Sequence, residues 1–346
     1  MLKKIYCLLF SFLFLFPNTA YANDGSISAC SAVTMDSATK TVLFEQNAYQ
    51  HMPMASTTKI MTCLIACESG KLDDLLTVTE EMVDVQGSSV YLKAGDKITL
   101  LDLVKGAMIA SGNDAANSIA VYLGSSVAHF VAMMNSKAKE IGLKSTHFET
   151  PSGLDGKEHY STAFDMAVLA SAALKNQTFA EICAMKSAEI TVNEQKQTLY
   201  NHNKLLNASE NFIGVKTGFT KKAGRCLVSA YKIENSFIIC VTLNAGDDWN
   251  DHKKLISLSK SKYIRICASK IMDINVVGGY KSTIKAKADL NVFSLGNVET
   301  KTYYYPFLYA PVAQGDVIGK MDVLFDGNII ATVDITAEEG INIYGK

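Results

Sequence analysis

The sequence predicts an α/β domain in which helices cover an antiparallel sheet, followed by a small all-β domain. Strand-like segments occur near the start of the chain and again after residue 210, with helical patterns between them. Strands drawn from both ends of a segment, with helices between, favour a layered domain of this kind. Residues 272–346 keep no helical period and are rich in β-branched residues, which predicts the second domain.

The individual elements are predicted from hydrophobic spacing and turn residues. Residues 28–46 have the pattern of a β-hairpin. Helical spacing is found in four places before residue 150, namely 56–70, 99–110, 113–123 and 127–141. Three strands and one helix complete the first domain, at 212–217, 225–231, 237–243 and 249–268.

An N-terminal signal peptide is predicted for residues 1–22. Lys3 and Lys4 precede an apolar run from Ile5 to Phe16, and Ala20-Tyr21-Ala22 places small residues where a signal peptidase needs them. The run is shorter than the roughly 20 apolar residues of a membrane span. We therefore expect cleavage after Ala22 and a secreted, extracytoplasmic protein of two domains, 23–270 and 271–346.

Charge and cysteine content narrow the classes of function. Without the leader the chain has 31 basic and 34 acidic residues, a net charge of −3, which gives no support for nucleic-acid binding. The seven remaining cysteines cannot all pair, and those in apolar runs, such as Cys240, are predicted to be buried thiols. Cys63 and Cys67 have helical spacing, but no His or Cys cluster completes a metal site with them. We expect no metal and no cofactor.

Three short motifs occur in a fixed order and carry the chemistry: Ser56-Thr57-Thr58-Lys59, Ser111-Gly112-Asn113 and Lys216-Thr217-Gly218. Ser-x-x-Lys alone is a weak signal, because it begins at seven serines in this chain. Lys-Thr-Gly occurs once, and only Ser56 and Ser111 lie at suitable distances before it. The ordered triplet is typical of acylated serine enzymes.

Ser56 and Lys59 are the predicted nucleophile and base. Residues at i and i+3 share a helix face, so the amine can reach the hydroxyl. Free N–H groups at a helix start can stabilise a developing oxyanion. Lys59 can accept a proton only when neutral, which requires burial or a neighbouring cation such as Lys216 to lower its pKa from about 10.4. For the motif by itself, an exposed lysine after a capping serine is the simpler interpretation.

The other two motifs supply a relay and a binding strand. Ser111 can relay a proton, and Asn113 can hold Lys59 and a substrate amide, although the segment also suits an ordinary helix-connecting turn. Lys216, Thr217 and Thr220 can bind a carboxylate, and the N–H of Phe219 is a second oxyanion donor. Gly218 allows another backbone to approach closely. Here the simpler interpretation is a strand ending in a turn.

Longer matches around these motifs make the chain similar to the low-molecular-weight penicillin-binding proteins, specifically the D-alanyl-D-alanine carboxypeptidases of peptidase family S11. The resemblance covers about 25–268 strongly and 272–335 more weakly. The segments that carry it are 55–62, 87–96, 111–116, 147–155, 216–220, 310–312 and 315–320.

The resemblance implies a β-lactamase/transpeptidase-like fold and removal of the terminal D-alanine from peptidoglycan stem pentapeptides through an acyl-enzyme on Ser56. It also implies covalent inhibition by β-lactam antibiotics and no metal or cofactor. Many members end in an amphipathic helix that holds them on the membrane, whereas residues 341–346 are strand-like, so membrane association is not expected.

Two rival functions are weighed. A class A β-lactamase usually has Ser-Asp-Asn where this chain has Gly112, and no Glu-x-x-Leu-Asn segment occurs between 150 and 180. Glu158 and Asp165 are the acidic residues that could activate water in its place. The second rival is a non-catalytic cell-wall binding protein, against which the intact motifs argue.

Overall fold

The computed structural model describes residues 27–234 and 236–344. The predicted signal peptide and its cleavage site lie outside these ranges. The strands, in chain order, are β1 Ser31–Asp36, β2 Val42–Gln46, β3 Leu75–Thr77, β4 Lys97–Thr99, β5 Ser187–Val192, β6 Gln195–Tyr200, β7 Phe212–Thr220, β8 Gly224–Ile233, β9 Ser236–Ala245, β10 Ile264–Val277, β11 Thr283–Ser294, β12 Glu299–Tyr304, β13 Phe307–Tyr309, β14 Val317–Phe325 and β15 Asn328–Ala337. The α-helices are α1 Lys59–Glu68, α2 Glu80–Val83, α3 Leu100–Ile109, α4 Asn113–Gly124, α5 Val127–Ile141, α6 Ala163–Ala173, α7 Gln177–Ala184 and α8 Asp248–Lys260.

The first domain is built on a five-stranded antiparallel sheet in the order β2-β1-β9-β8-β7. Side chains of β8 and β9 alternate between two apolar clusters, so Val228 and Val241 face one side while Leu227 and Cys240 face the other. Helix α8 packs on one face, and α1, α6 and α7 belong to the layer on the opposite face. Both faces are therefore covered, which explains why β8 and β9 are almost continuously buried.

Most of the predicted elements are confirmed, and the departures have physical reasons. The predicted helix at 127–141 coincides with α5. Helix α6 was not predicted, because its sequence is apolar all round and it is buried on nearly every side, so it shows no amphipathic period. The predicted helix at 249–268 is wrong beyond Lys260, since residues from Ile264 onward pair with β11 over twelve positions instead.

The C-terminal all-β prediction is confirmed by a six-stranded sheet in the order β12-β14-β15-β11-β10-β13. The two edge strands, β12 and β13, are separated in sequence only by Tyr305 and Pro306. Four consecutive Cα atoms span at most about 11 Å, so the sheet must curl enough to bring the end of β12 within that distance of the start of β13. Its apolar side chains, among them Met321 and Ile335, form a core of their own.

Within the described ranges, no single helix is long and apolar enough to cross a membrane. Only α4 and α5 together meet the length and composition criteria, and that pair is bent by 87°. In the part of the chain that the structure describes, seven cysteines are free thiols, and five of them are buried, as predicted for cysteines in apolar runs.

Candidate active site

Ser56 lies in a short 3₁₀ turn, Ala55–Thr58, that leads directly into α1. Two of the three hydroxyls in this segment hold the turn, because Thr57 Oγ1 donates to Met54 O at 2.6 Å and Thr58 Oγ1 donates to Ala55 O at 2.8 Å. The Ser56 hydroxyl makes no such backbone bond. It is thereby left for chemistry at a helix start, where backbone N–H groups lack intrahelical partners.

Lys59 is completely buried and is held by three acceptors. Its Nζ donates to Ser56 Oγ at 3.0 Å, Asn113 Oδ1 at 2.7 Å and the Ser152 carbonyl at 2.7 Å. Burial lowers the pKa of Lys59 well below its usual value, and the neighbouring Lys216 lowers it further, against smaller opposing effects from acidic groups. The amine is thus fixed beside the hydroxyl in an environment that favours its neutral form.

Asn113 opens α4 and joins two parts of the site. While its Oδ1 accepts from Lys59, its Nδ2 donates to Gln86 O at 2.6 Å and its backbone N–H donates to Ser88 O at 2.7 Å. Ser111 is buried and has a positive φ of 61°, which is uncommon for a residue with a side chain. Among the described residues its hydroxyl has no hydrogen-bond partner, so the structure leaves Ser111 near Asn113 without linking it to Lys59.

Asp114 has a positioning role that the sequence reasoning missed. Its buried carboxylate accepts from the backbone N–H groups of Val90 and Leu92 and from Ser89 Oγ at 2.6 Å. These bonds fasten the segment 87–92 against the start of α4, beside the two carbonyls that hold Asn113. The segment matched the family, but no local pattern marked Asp114 as its anchor.

Lys216 lies on β7, the edge strand of the sheet, just after a register shift between Gly214 and Lys216. Such a bulge re-aims the side chains that follow it. The Nζ of Lys216 is buried and donates to Thr217 O at 2.9 Å. Burial lowers the pKa of Lys216 to about 8, so the side chain remains mainly charged at neutral pH.

The end of β7 runs beside the nucleophile. A Cβ on Gly218 would lie 2.9 Å from the backbone N of Ser56, so only glycine fits this approach. Phe219 is exposed, and Thr217 is half-buried. Thr220 differs from the expectation of a free binding hydroxyl, because its Oγ1 donates to Asp155 Oδ1 at 2.9 Å and accepts from Ala223 N.

The segment 150–159 supports the nucleophile turn from the other side. Besides the Ser152 carbonyl on Lys59, Pro151 O accepts from Thr62 Oγ1 at 2.6 Å. Gly153 has a φ of +88°, and a Cβ there would lie 1.9 Å from Ala55 O. Burial lowers the pKa of His159 to about 4. Its neutral ring lies within hydrogen-bonding distance of Thr58 Oγ1, at 2.8 Å.

The alternative catalytic residues occupy other environments. Asp165 accepts from Ser145 N and Thr146 Oγ1 at 2.7 and 2.8 Å, so its carboxylate secures a chain segment. The Ser229–His252 pair, 2.6 Å apart, resembles a nucleophile and base, but both residues are fully buried in the sheet and α8. Neither arrangement offers a site to a substrate.

Comparison with known proteins decides the family. The D-alanyl-D-alanine carboxypeptidase family, peptidase S11, matches residues 18–247, and the C-terminal domain of penicillin-binding protein 5 matches residues 267–342. The chain belongs to peptidase family S11. This confirms the predicted family, enzyme class and fold class.

Named relatives and solved structures are similar to this chain over most of its length. The D-alanyl-D-alanine carboxypeptidase DacC of Escherichia coli is 33% identical over 96% of this chain and 90% of its own length. Penicillin-binding protein 5 from Haemophilus influenzae has a TM-score of 0.65 at 29% identity, covering 92% of this chain and 98% of that one. The Streptomyces K15 DD-transpeptidase has a TM-score of 0.65 at 30% identity, covering 68% and 98%.

Proposed function

We propose that this S11 enzyme removes the terminal D-alanine from peptidoglycan stem pentapeptides through an acyl-enzyme on Ser56. One observation carries the assignment of the nucleophile: a completely buried Lys59 places its Nζ 3.0 Å from the Ser56 hydroxyl. A serine is a weak nucleophile without an adjacent base, and a lysine acts as that base only when its pKa is lowered.

In the proposed acylation, the Ser56 oxygen forms an ester bond to the carbonyl carbon of the penultimate D-alanine as its proton passes to Lys59. The C–N bond to the last D-alanine then breaks. The leaving amine takes the proton from Lys59. We assign the relay of this proton to the buried Ser111 hydroxyl, which has no hydrogen-bond partner among the described residues and lies two residues before Asn113, the partner of Lys59. Water next attacks the ester as Lys59 accepts a proton from it. The bond between the carbonyl carbon and the Ser56 oxygen then breaks, and Lys59 returns the proton to Ser56 as the shortened peptide leaves.

Two backbone N–H groups are proposed to stabilise the oxyanion. The N–H of Ser56 lies at the start of its turn, and the N–H of Phe219 lies on the edge strand whose Gly218 packs against that turn. Donors fixed before the reaction are more effective than water, because they need no reorganisation as charge develops.

Lys216, Thr217 and Thr220 are proposed to hold the free carboxylate of the substrate, with Asn113 orienting a substrate amide. At neutral pH a lysine with a pKa of about 8 is mainly charged, so it can make a charge-assisted bond to this carboxylate. Thr220 would contribute by giving up its hydrogen bond to Asp155 and donating to the substrate carboxylate instead. A β-lactam with a carboxylate beside its ring would occupy the same contacts and acylate Ser56.

The same acyl-enzyme gives a second candidate activity. The similar Streptomyces K15 protein is a DD-transpeptidase. For this chain the corresponding reaction would transfer the acyl group from Ser56 to an amine instead of to water. Adding an amine acceptor to the assay and measuring the ratio of transfer to hydrolysis separates the two activities.

We further propose a secreted, extracytoplasmic enzyme of two domains, because peptidoglycan lies outside the cytoplasm and the leader has the features of a signal peptide. The boundary expected between residues 270 and 271 falls within β10, so the pairing of Ile264 with Ser294 supports a start of the second domain at about residue 264.

Replacing Ser56 with Ala tests the central assignment. We expect the variant to lose both D-alanine release from diacetyl-Lys-D-Ala-D-Ala and covalent labelling by penicillin, while its circular dichroism spectrum stays that of the wild type. Intact-mass analysis of the wild type should give one adduct, on the peptide that contains Ser56. The matched control is Ser136→Ala, which removes the serine of another Ser-x-x-Lys sequence. An adduct retained by Ser56→Ala, or lost in Ser136→Ala, would falsify the assignment.

A further inference from the structure

The C-terminal sheet carries an exposed aromatic segment that the reaction at Ser56 does not use. Five of the seven residues from 303 to 309 are aromatic, and their exposed fractions lie between 44% and 71%. Single exposed aromatic residues are ordinary, but a contiguous group of this size marks a surface that binds something. The members are Tyr303, Tyr304, Tyr305, Phe307 and Tyr309.

This aromatic segment runs from the end of β12 through Tyr305 and Pro306 into β13. Its first three residues, together with the start of the paired strand β14 from Val317 to Lys320, line an open cleft of about 540 Å³. A Cβ on Gly319 would lie 2.7 Å from the Cβ of Tyr304, so the glycine lets this tyrosine lie directly across β14. The cleft therefore has its shape before any ligand arrives, and its volume falls within the usual range of small-molecule sites.

The polar groups of the cleft suit a ligand with hydroxyl and amide groups. In the part of the chain that the structure describes, the hydroxyls of Tyr303, Tyr304 and Tyr305 have no hydrogen-bond partner. Lys320 has no ion pair there either. Asp322 accepts one hydrogen bond, from Thr332 Oγ1 at 2.7 Å, and retains further acceptor capacity. Flat apolar faces bordered by free donors and acceptors match sugar rings, which present C–H groups on their faces and hydroxyls at their rims.

The charge of the C-terminal domain favours a sugar ligand over an anionic lipid surface. Residues 264–344 contain seven basic and nine acidic side chains, a net charge of −2. Anionic membranes attract clusters of Lys and Arg, which this domain lacks near the cleft. The cleft itself holds one cation and one anion, Lys320 and Asp322. Balanced charge with aromatic walls favours a ligand whose rings are uncharged.

We propose that this cleft binds N-acetylated sugar rings of a peptidoglycan glycan strand. The identity of the glycan rests on the proposed function, since stem peptides are attached to such strands. Holding one strand in the C-terminal cleft raises the effective concentration of its stem peptides at Ser56 without changing the reaction. The cleft would therefore affect the hydrolysis of polymeric substrate and leave that of free peptides unchanged.

The test uses the full mature chain and the β-1,4-linked hexamer of N-acetylglucosamine, titrated by calorimetry. The double variant Tyr303→Ala, Tyr305→Ala removes two of the three tyrosine side chains that line the cleft. The control Tyr280→Ala, Tyr344→Ala removes two equally exposed tyrosines of the same domain that do not line the cleft. We expect the cleft variant to bind the hexamer about tenfold more weakly, or worse, and the control to bind as wild type does. Equal binding by both variants, or none by the wild type at millimolar hexamer, would overturn the proposal.

Two further measurements separate this proposal from the proposed function and from membrane binding. The cleft variant should release D-alanine from diacetyl-Lys-D-Ala-D-Ala at the wild-type rate but from insoluble peptidoglycan with a raised KM. If the wild-type protein binds the hexamer but does not cleave the small peptide, the proposed carboxypeptidase activity is refuted and the proposed glycan binding is retained. Sedimentation with phosphatidylglycerol-containing vesicles tests membrane binding. If the wild type binds vesicles but not the hexamer, and the cleft variant loses vesicle binding, the ligand of the cleft is a membrane and the glycan proposal is wrong.

Discussion

The two halves of the molecule bury different kinds of side chain. The first domain encloses two lysines and several carboxylates and imidazoles, among them Lys59, Lys216 and Asp114, each with hydrogen bonds. Among the described residues from 264 onward, Ser294 is the one buried polar side chain. The C-terminal ion pairs, such as Lys281 with Glu339, lie at the surface, where such pairs contribute little to stability.

The two cores differ in this way because the first contains the groups of the active site and the second does not. Burying a charge is costly unless neighbours compensate, so the first domain gives up stability at the place where a lowered lysine pKa is needed. The C-terminal core of Met321, Ile335 and their neighbours contains no such group and is stabilised by apolar burial. The comparison predicts that changes in the first domain act on chemistry, whereas changes in the C-terminal core act on stability.

The largest effect is expected from the charge of Lys216. Acylation by an acid substrate should rise with pH as Lys59 becomes neutral and fall again as Lys216 loses its proton near its pKa of about 8. Amidating the substrate carboxylate should reduce kcat/KM at pH 7 by about 10- to 100-fold, because a bond between charged groups is lost. It should also remove the falling limb of the profile.

Lys216→Met should reproduce the effect of the amide, and Lys221→Met provides the control on the exposed turn after β7. Stopped-flow measurement of kcat/KM from pH 5 to 10 with both substrates checks this. Identical profiles for the acid and the amide would remove Lys216 from carboxylate recognition.

A smaller effect is expected at Asp114. Asp114→Asn exchanges one carboxylate oxygen for an NH₂ group, which cannot accept from Val90, Leu92 or Ser89. The segment 87–92 should loosen from Asn113, and acylation by fluorescent penicillin should slow by about tenfold. Asp102→Asn is the matched control, because Asp102 is also buried and accepts from the backbone of Thr191 rather than from the segment 87–92. Equal slowing in the two variants would assign the effect to general destabilisation.

The smallest effect on chemistry is expected in the C-terminal core. Ile335→Ala should lower the free energy of unfolding of the C-terminal sheet by about 2–5 kcal/mol, because it leaves a cavity in a fully buried site. Penicillin acylation at 15 °C should not change. Ile239→Ala, in the equally buried β9, should reduce both stability and acylation. Calorimetry and acylation rates measured on the same samples decide this, and loss of acylation in Ile335→Ala would mean that the two cores do not act separately.

Sequence patterns predicted the parts of the site that are local. Ser56 and Lys59 are three residues apart, so the helical pattern was enough to bring them together. The strand that carries Lys216 and Gly218 was recognised from its apolar run. The Ser152 carbonyl on Lys59 was not predicted, because backbone groups leave no signature in a sequence. Asp114 was missed for a related reason, since its partners are backbone N–H groups more than twenty residues away.

The sequence by itself determined the chemistry available to this protein and its two kinds of domain. The ordered motifs named a nucleophile, a base and a binding strand, and hydrophobic spacing separated the α/β part from the all-β part. The tertiary structure decided what those groups can do. Lys59 becomes a base because residues distant in sequence remove water from it and Lys216 lies nearby, and the pKa responds to that combined burial and charge rather than to spacing along the chain. The aromatic cleft likewise depends on the pairing of β12 with β14, which places Tyr303 and Tyr304 beside Lys320 and Gly319 although these residues are more than fourteen positions apart in the chain.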